Sequence, residues 1–268
     1  MASMNGPASP LIRTRDLVKV YSLGGSRLVA LNKVNLTFHR SEFAGLVGPS
    51  GSGKTTLLNI LGSLDRPTEG SAEVLGERIE DLSHKKAAEL RSRHIGFIFQ
   101  THNLLPVYTV YENVEFPLLV LGAPAGERHK AVMAALEWVG LADRASSRPA
   151  QLSGGQSQRV AIARAIVKRP ELVLADEPTA NLDGENSRNV LDTMTALSRD
   201  LQTTFIFATH DEKVIRYLRR KIVLNDGVVV EDKFLQTVPA NQPRAVPVIS
   251  STPTRWETRV GDPGQRSP

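Results

Sequence analysis

The chain has 268 residues, 41% of them hydrophobic, with no cysteine and a formal charge of +5. That length and apolar content suit one well-cored domain with room for a small subdomain, and the missing cysteines exclude disulfides and thiolate metal sites and fit a cytosolic protein. No apolar run approaches the roughly 18 residues of a membrane span, and the charge, mostly scattered, is too modest to mark a nucleic-acid binder by itself.

In chain order, the first ten residues, MASMNGPASP, carry neither the charged nor the apolar region of a signal peptide and read as disordered. Residues 11–47 read as short strands: IRTRDLVKVY, VNLTFHR and EFAGLVG are rich in β-branched and aromatic residues and are separated by turn-like residues. A loop and a helix follow at 48–62. SAEVLG and HIGFIFQ read as further strands, and the basic HKKAAELRSRH between them as a solvated helix face. From 109 to 168 the chain turns helical, with Val132, Ala135, Leu136 and Val139 on one face of ERHKAVMAALEWVGL. ELVLADE and TTFIFATH are nearly continuous apolar runs, as expected of strands buried on both faces. A helix at 185–199 lies between them, and that βαβ order predicts a parallel sheet and an α/β fold. Residues 237–268, rich in Pro, Ser, Thr and Arg, read as a disordered tail.

Four stretches carry chemistry. GPSGSGKTT comprises Gly48, Pro49, Ser50, Gly51, Ser52, Gly53, Lys54, Thr55 and Thr56, and satisfies G-x-x-x-x-G-K-[ST] between a strand and a helix. Its glycines let backbone N–H groups wrap phosphates, Lys54 can reach the β and γ phosphates, and the Thr55 hydroxyl can ligate Mg²⁺. LVLADE is a buried strand ending in two carboxylates: Asp176 can hold Mg²⁺, and Glu177, leaving in another direction, can orient an attacking water. His210 follows TTFIFAT at the ligand edge expected of an open α/β sheet, whereas His39, His84, His94, His102 and His129 have no such context. LSGGQ is the start of a helix capped by Ser153, with Val160, Ile162, Ala163 and Ile166 at helical spacing. Such a start is itself an anion site, and one nucleotide has no need of a second cradle. Two single residues are weaker signals. Gln100 ends the strand HIGFIFQ, where an amide can touch the metal or the water. Tyr21 ends the first strand, where its ring can stack on adenine or simply pack against the core or edge.

Together these pieces resemble the ATP-binding-cassette (ABC) ATPases over about residues 11–230, and LSGGQ is the most specific part, since other P-loop ATPases lack it. The resemblance implies a P-loop ATPase core with a mostly parallel sheet, an antiparallel β subdomain and a small α-helical subdomain at about 101–168, within an ATPase domain spanning 11–236. It implies that Ser153, Gly154, Gly155 and Gln156 close on the γ phosphate held by a second copy of the chain, which resolves the surplus cradle. It further implies that Asp183, in ANLDGE, lies at the dimer seam, that Tyr21 stacks on adenine, that Gln100 is the Q-loop residue and a metal ligand with Thr55 and Asp176, that Glu177 is the catalytic base and His210 the switch histidine, with Lys54 also catalytic. The stretch LRSRHIGFIFQTHNLLPVYTVYENVEFPLLVLG resembles the lipoprotein-releasing and macrolide-exporting branch (LolD and MacB), to which the cell-division ATPase FtsE is related. That branch implies a transmembrane permease partner, a peripheral place on the cytoplasmic face of the membrane, and transport or force transmission driven by ATP and Mg²⁺. Ser157 departs from the usual glutamine and Ala180 from the usual glycine, and neither change removes a catalytic group. The tail after Phe234 is longer than that branch usually carries. A soluble ABC ATPase acting on nucleic acid or ribosomes is disfavoured by the single cassette and the short span from Gln100 to Leu152, so no nucleic-acid partner is expected. A non-hydrolysing ATP-binding regulatory module is disfavoured by the intact Lys54, Asp176, Glu177 and His210.

Overall fold

The structure is a computed structural model that describes residues 9–235. The expected tail and all but the last two residues of the expected disordered N-terminus lie outside the described residues. In chain order the described residues form β1 (Ile12–Leu23), β2 (Ser26–Phe38), β3 (Phe43–Val47), α1 (Lys54–Leu61), β4 (Glu69–Val74), β5 (Glu77–Arg78), α2 (His84–His94), β6 (Ile95–Ile98), α3 (Val110–Val120), α4 (Ala125–Trp138), α5 (Gly154–Ile166), β7 (Leu172–Asp176), α6 (Gly184–Leu201), β8 (Thr204–Thr209), α7 (Glu212–Ile215), β9 (Arg220–Asn225) and β10 (Val228–Phe234).

The strands make two sheets. One is antiparallel, in the order β2-β1-β4-β5, and the other runs β10-β9-β3-β8-β7-β6. In the second sheet every neighbouring pair from β9 to β6 is parallel, and only the β9–β10 hairpin is antiparallel. Side chains alternate across the central strands. Phe205 and Phe207 of β8 face the helices α3, α4, α5 and α6, while Ile206 and Ala208 face α1 and the antiparallel sheet. Each face thus has its own core, and every fully buried Phe or Leu in it contributes about 1.5–3 kcal/mol. Phe43 of β3 packs with Phe205 and Phe207 at ring-centroid distances of 5.7 and 4.7 Å. These rings hold β3 beside β8, and the loops that leave the C-terminal ends of those two strands carry residues 48–53 and His210.

Several expectations need adjustment. β1 continues two residues past Tyr21. β2 begins at Ser26, eight residues before the stretch that signals a strand, because its first half is exposed on both faces and shows no alternation. β6 stops at Ile98, so Gln100 sits on the following turn rather than in the strand. The β9–β10 hairpin was not anticipated. Its β9 alternates buried and half-buried residues, but the first buried one is Arg220, a charge that masks the pattern. Arg220 is satisfied there by Asp232 at 2.8 and 2.6 Å, Glu42 at 2.9 Å and the Thr37 carbonyl at 2.7 Å. The basic stretch 84–94 is a helix with only Ala87 and Leu90 buried, as a solvated helix face should be. No helix among the described residues is long and apolar enough to cross a membrane.

Candidate active site

The loop after β3 takes its shape from glycine. Gly51 and Gly53 have φ of 82° and 99°, a region that side chains with a Cβ rarely enter. A Cβ on Gly53 would also lie 2.5 Å from the Ala30 carbonyl oxygen. Gly53 caps α1 without any side-chain acceptor, so the first-turn N–H groups remain open to an anion. Lys54 folds back over the loop and donates to the carbonyls of Gly48 at 2.8 Å and Pro49 at 2.7 Å. Burial lowers its pKa, opposed by the charges of Glu177 and Asp176.

Two carboxylates face this loop from the end of β7. Asp176 Oδ2 accepts a hydrogen bond from Thr55 Oγ1 at 3.0 Å. Burial raises the Asp176 pKa and the charge of Glu177 adds to the rise, against the Thr55 bond and the Lys54 charge. Glu177 leaves the strand with a φ of 45°, a left-handed backbone that costs an L-residue about 1–2 kcal/mol. Its N–H is tied to the Ala208 carbonyl at 2.9 Å, and the turn swings its side chain toward the end of β8. There Oε1 lies 2.6 Å from His210 Nδ1, and Oε2 accepts from Thr209 Oγ1 at 3.2 Å. Strain of this kind persists where the surroundings over-determine it, and it concentrates at functional sites.

One cavity of about 440 Å³ joins these groups. Ser50, Gly51, Gly53, Lys54, Thr55 and Thr56 line it on the loop side. Gln100, Asp176, Glu177 and His210 line it on the sheet side, with Tyr21 at its rim. Gly48, Pro49 and Ser52 do not line it; they shape the loop from behind, Ser52 being fully buried. The sequence reading missed Leu28, Val29 and Ala30, which share the wall with Tyr21, and Thr209, which holds Glu177. The signal for the first three was an apolar triplet that remains half or more exposed at Leu28 and Val29.

The Ser153 stretch lies elsewhere: none of Ser153, Gly154, Gly155 and Gln156 lines the cavity. Ser153 caps α5 through a reciprocal box, its Oγ accepting from Gln156 N at 3.3 Å while its own N–H donates to Gln156 Oε1 at 2.9 Å. Gly155 is pressed so closely against Asn186 that a Cβ would overlap that side chain. Asn186 in turn donates to Asp183, which caps α6 and faces solvent outside the cavity.

No group of three or more His, Cys, Asp or Glu side chains able to hold a metal occurs among the described residues. The oxygens of Thr55 and Asp176 are hard donors of the kind that suit a cation such as Mg²⁺ bound together with phosphate. The two oxygens lie 3.0 Å apart on the wall of the cavity, so the residues fit Mg²⁺.

The ABC transporter family profile matches residues 31–180. The lipoprotein-releasing system ATP-binding protein LolD of Pseudomonas fluorescens is 44% identical over 220 residues, 82% of this chain and 97% of the relative. The macrolide export ATP-binding/permease protein MacB of Burkholderia lata is 43% identical over 224 residues, which are 84% of this chain but only 32% of that longer protein. Among solved structures, a dimeric post-hydrolysis state of the ATP-binding cassette MJ0796 bound to ADP and Pi is similar with a TM-score of 0.78 and 40% identity, covering 84% of this chain and 99% of that one. By these likenesses, the chain belongs to the ABC transporter family and is one of its ATPases.

Proposed function

We propose that this chain is the ATPase subunit of a LolD/MacB-type complex, in which two copies close around two ATP molecules and pass the movement to a transmembrane permease. The observation that carries the reading is the convergence of Lys54, Thr55, Asp176, Glu177 and His210 on one cavity from which the Ser153 helix start is absent. One chain thus presents a phosphate cradle and, elsewhere, a second phosphate-seeking helix start, and a second copy supplies the missing half of each site.

In this reading the loop N–H groups and the Lys54 ammonium hold the β and γ phosphates. Thr55 and Asp176, with Gln100, would hold Mg²⁺, which when bound would supply positive charge against the phosphate oxygens. Glu177 orients water in line with the γ phosphorus and accepts its proton. Thr209 and His210 grip the two Glu177 oxygens and aim the carboxylate. The His210 side chain is 69% exposed, so its ring can exchange the carboxylate for a γ-phosphate oxygen. Tyr21 stacks on the base, and Ser153, Gly154, Gly155 and Gln156 of the second copy cover the γ phosphate, with Asp183 at the seam between copies. The chain sits at the cytoplasmic face of the membrane through its permease, and the relatives' names place lipoprotein release and macrolide export among the tasks of such assemblies.

The test is ATP turnover by the purified chain and by Glu177→Gln, which keeps the shape but removes the base. A fall of at least about a hundredfold is expected from loss of general base and orientation. Near-normal turnover by Glu177→Gln would exclude Glu177 as the base.

A further inference from the structure

Beside the cavity, and outside every residue given a role so far, Asp65 sits at the centre of a polar cluster behind Tyr21. Its Oδ2 accepts the Tyr21 hydroxyl at 2.7 Å, and its Oδ1 accepts Lys19 Nζ at 2.6 Å. Lys19 Nζ also donates to the Arg66 carbonyl at 2.8 Å and stands 4.8 Å from the centroid of the Tyr21 ring. The carboxylate is pinned in turn: Oδ1 takes the Arg66 N–H at 2.7 Å, and the Asp65 N–H donates to the carbonyl of Asn59, in α1, at 3.2 Å. Burial would raise the Asp65 pKa, but the bonds from Lys19, Tyr21 and the Arg66 N–H outweigh it and hold the group below the usual carboxylate range. The Tyr21 phenol is shifted the other way, upward, by burial and by Asp65, against a side-chain hydrogen bond with Thr56.

A tyrosine near a strand end is ordinarily free to change rotamer, and binding a base against it then costs the entropy of ordering it. Here the ring is fixed at its hydroxyl by a carboxylate and covered on one side by an ammonium, a cation–π arrangement. The ring lines the cavity together with Leu28 and Val29. The anchor is bonded to α1, the helix that begins at Lys54, so ring and phosphate cradle share one rigid support.

We propose that Asp65 is a positioning residue for nucleotide binding: with Lys19 it locks the Tyr21 ring in place and at a fixed distance from the phosphate cradle, so that base and phosphates are met together. The inference rests on the reading that Tyr21 stacks on the base. It predicts an effect on the base end of the ligand alone.

Calorimetric titration of the full chain with ADP, and separately with pyrophosphate as a base-free probe, tests it. Asp65→Ala is expected to weaken ADP binding about five-fold while pyrophosphate binding stays within about two-fold of wild type. In turnover assays KM for ATP should rise by a similar factor with kcat little changed. Lys19→Met, which removes one arm of the clamp and leaves the carboxylate, should weaken ADP about two-fold and stands in if Asp65→Ala does not fold. Equal loss of ADP and pyrophosphate would overturn the proposal by making Asp65 a support of the cradle itself. Unchanged ADP affinity in Asp65→Ala, with Tyr21→Ala weakened, would overturn it while leaving the stacking intact. Unchanged affinity in Tyr21→Ala would instead remove the stacking reading on which it rests.

Discussion

Two glycine-bearing helix starts in this chain are built in opposite ways. At α1 the cap is Gly53, with φ of 99° and no side-chain acceptor for the first-turn N–H groups. At α5 the cap is Ser153, which satisfies the Gln156 N–H and is satisfied by the Gln156 side chain in return. The first start leaves its N–H groups to solvent or an anion. The second is already a stable helix terminus, keeping only its hydroxyl proton and the Gly154 and Gly155 N–H groups for something approaching from outside. In the proposed function the difference separates a site that binds from a surface that closes: α1 would recruit the nucleotide alone, whereas α5 would need only to meet a phosphate already held by another copy.

Substitutions at the two starts should therefore fail differently. Lys54→Ala removes the cation against the β and γ phosphates, and both ATP binding and turnover should fall, turnover by about a hundredfold or more. Ser153→Arg should lower turnover as severely but leave ATP binding to the single chain within about two-fold, since its side chain is outside the cavity. Mixed in one tube, the two variants should recover at most one working site per dimer. Monomeric ATP binding lost in Ser153→Arg would erase the contrast.

The glycines sharpen it on the stability side. Gly53→Ala demands a left-handed alanine whose Cβ meets the Ala30 backbone, and a loss of about 1–3 kcal/mol is expected by chemical denaturation. Gly155→Ala needs no left-handed backbone. Its Cβ meets the Asn186 side chain, whose amide can turn by giving up its bond to Asp183 but whose own Cβ stays 3.0 Å away, and it should cost less than Gly53→Ala. Equal losses would mean that the α5 start is as rigidly fixed as the P-loop.

A pH-dependent effect should come from the far end of α5. Lys168, two residues beyond α5, donates to the Arg91 and Ser92 carbonyls at 2.6 and 2.8 Å, and burial lowers its pKa from 10.5 to about 7. Between those values the unfolded chain holds a proton that the folded chain has released, so stability rises with pH across that window, and below about pH 7 the cost of burying the charge is fully present. Lys168→Met removes the linkage. Its melting temperature relative to wild type should fall steadily from about pH 7 to about pH 10, and a flat difference would show that Lys168 is not desolvated as described.

How far the site was legible in the sequence follows from how its residues are joined. The P-loop and the Asp176–Glu177 pair are contiguous runs whose side-chain types state their chemistry, and His210 is announced by the apolar strand before it. The left-handed turn at Glu177 has no composition signal, because a glutamate there is held by the Ala208 carbonyl across the sheet. Gln100 was placed in a strand because the apolar run extends to Phe99, yet Phe97 and Phe99 stack on each other at 5.8 Å while the chain leaves the sheet after Ile98. Thr209 grips a residue 32 positions away, and Asp65 one 44 away. Those partners are created by the fold, and no window of sequence contains both. The same holds for the wall at Leu28 and Val29: exposed apolar residues on an edge strand carry no periodicity until the loop opposite them is in place.

The account rests on two chains completing each other's sites, and ATP-dependent dimerisation of Glu177→Gln tests that most directly. The substitution removes the base, so bound ATP persists, and it removes one negative charge beside the γ phosphate. Size-exclusion chromatography with light scattering, on the isolated chain at tens of micromolar (roughly the regime of moderate affinities), should show a monomer without nucleotide or with ADP and a dimer with ATP. A variant that binds ATP, hydrolyses none and remains monomeric at that concentration would contradict the composite site.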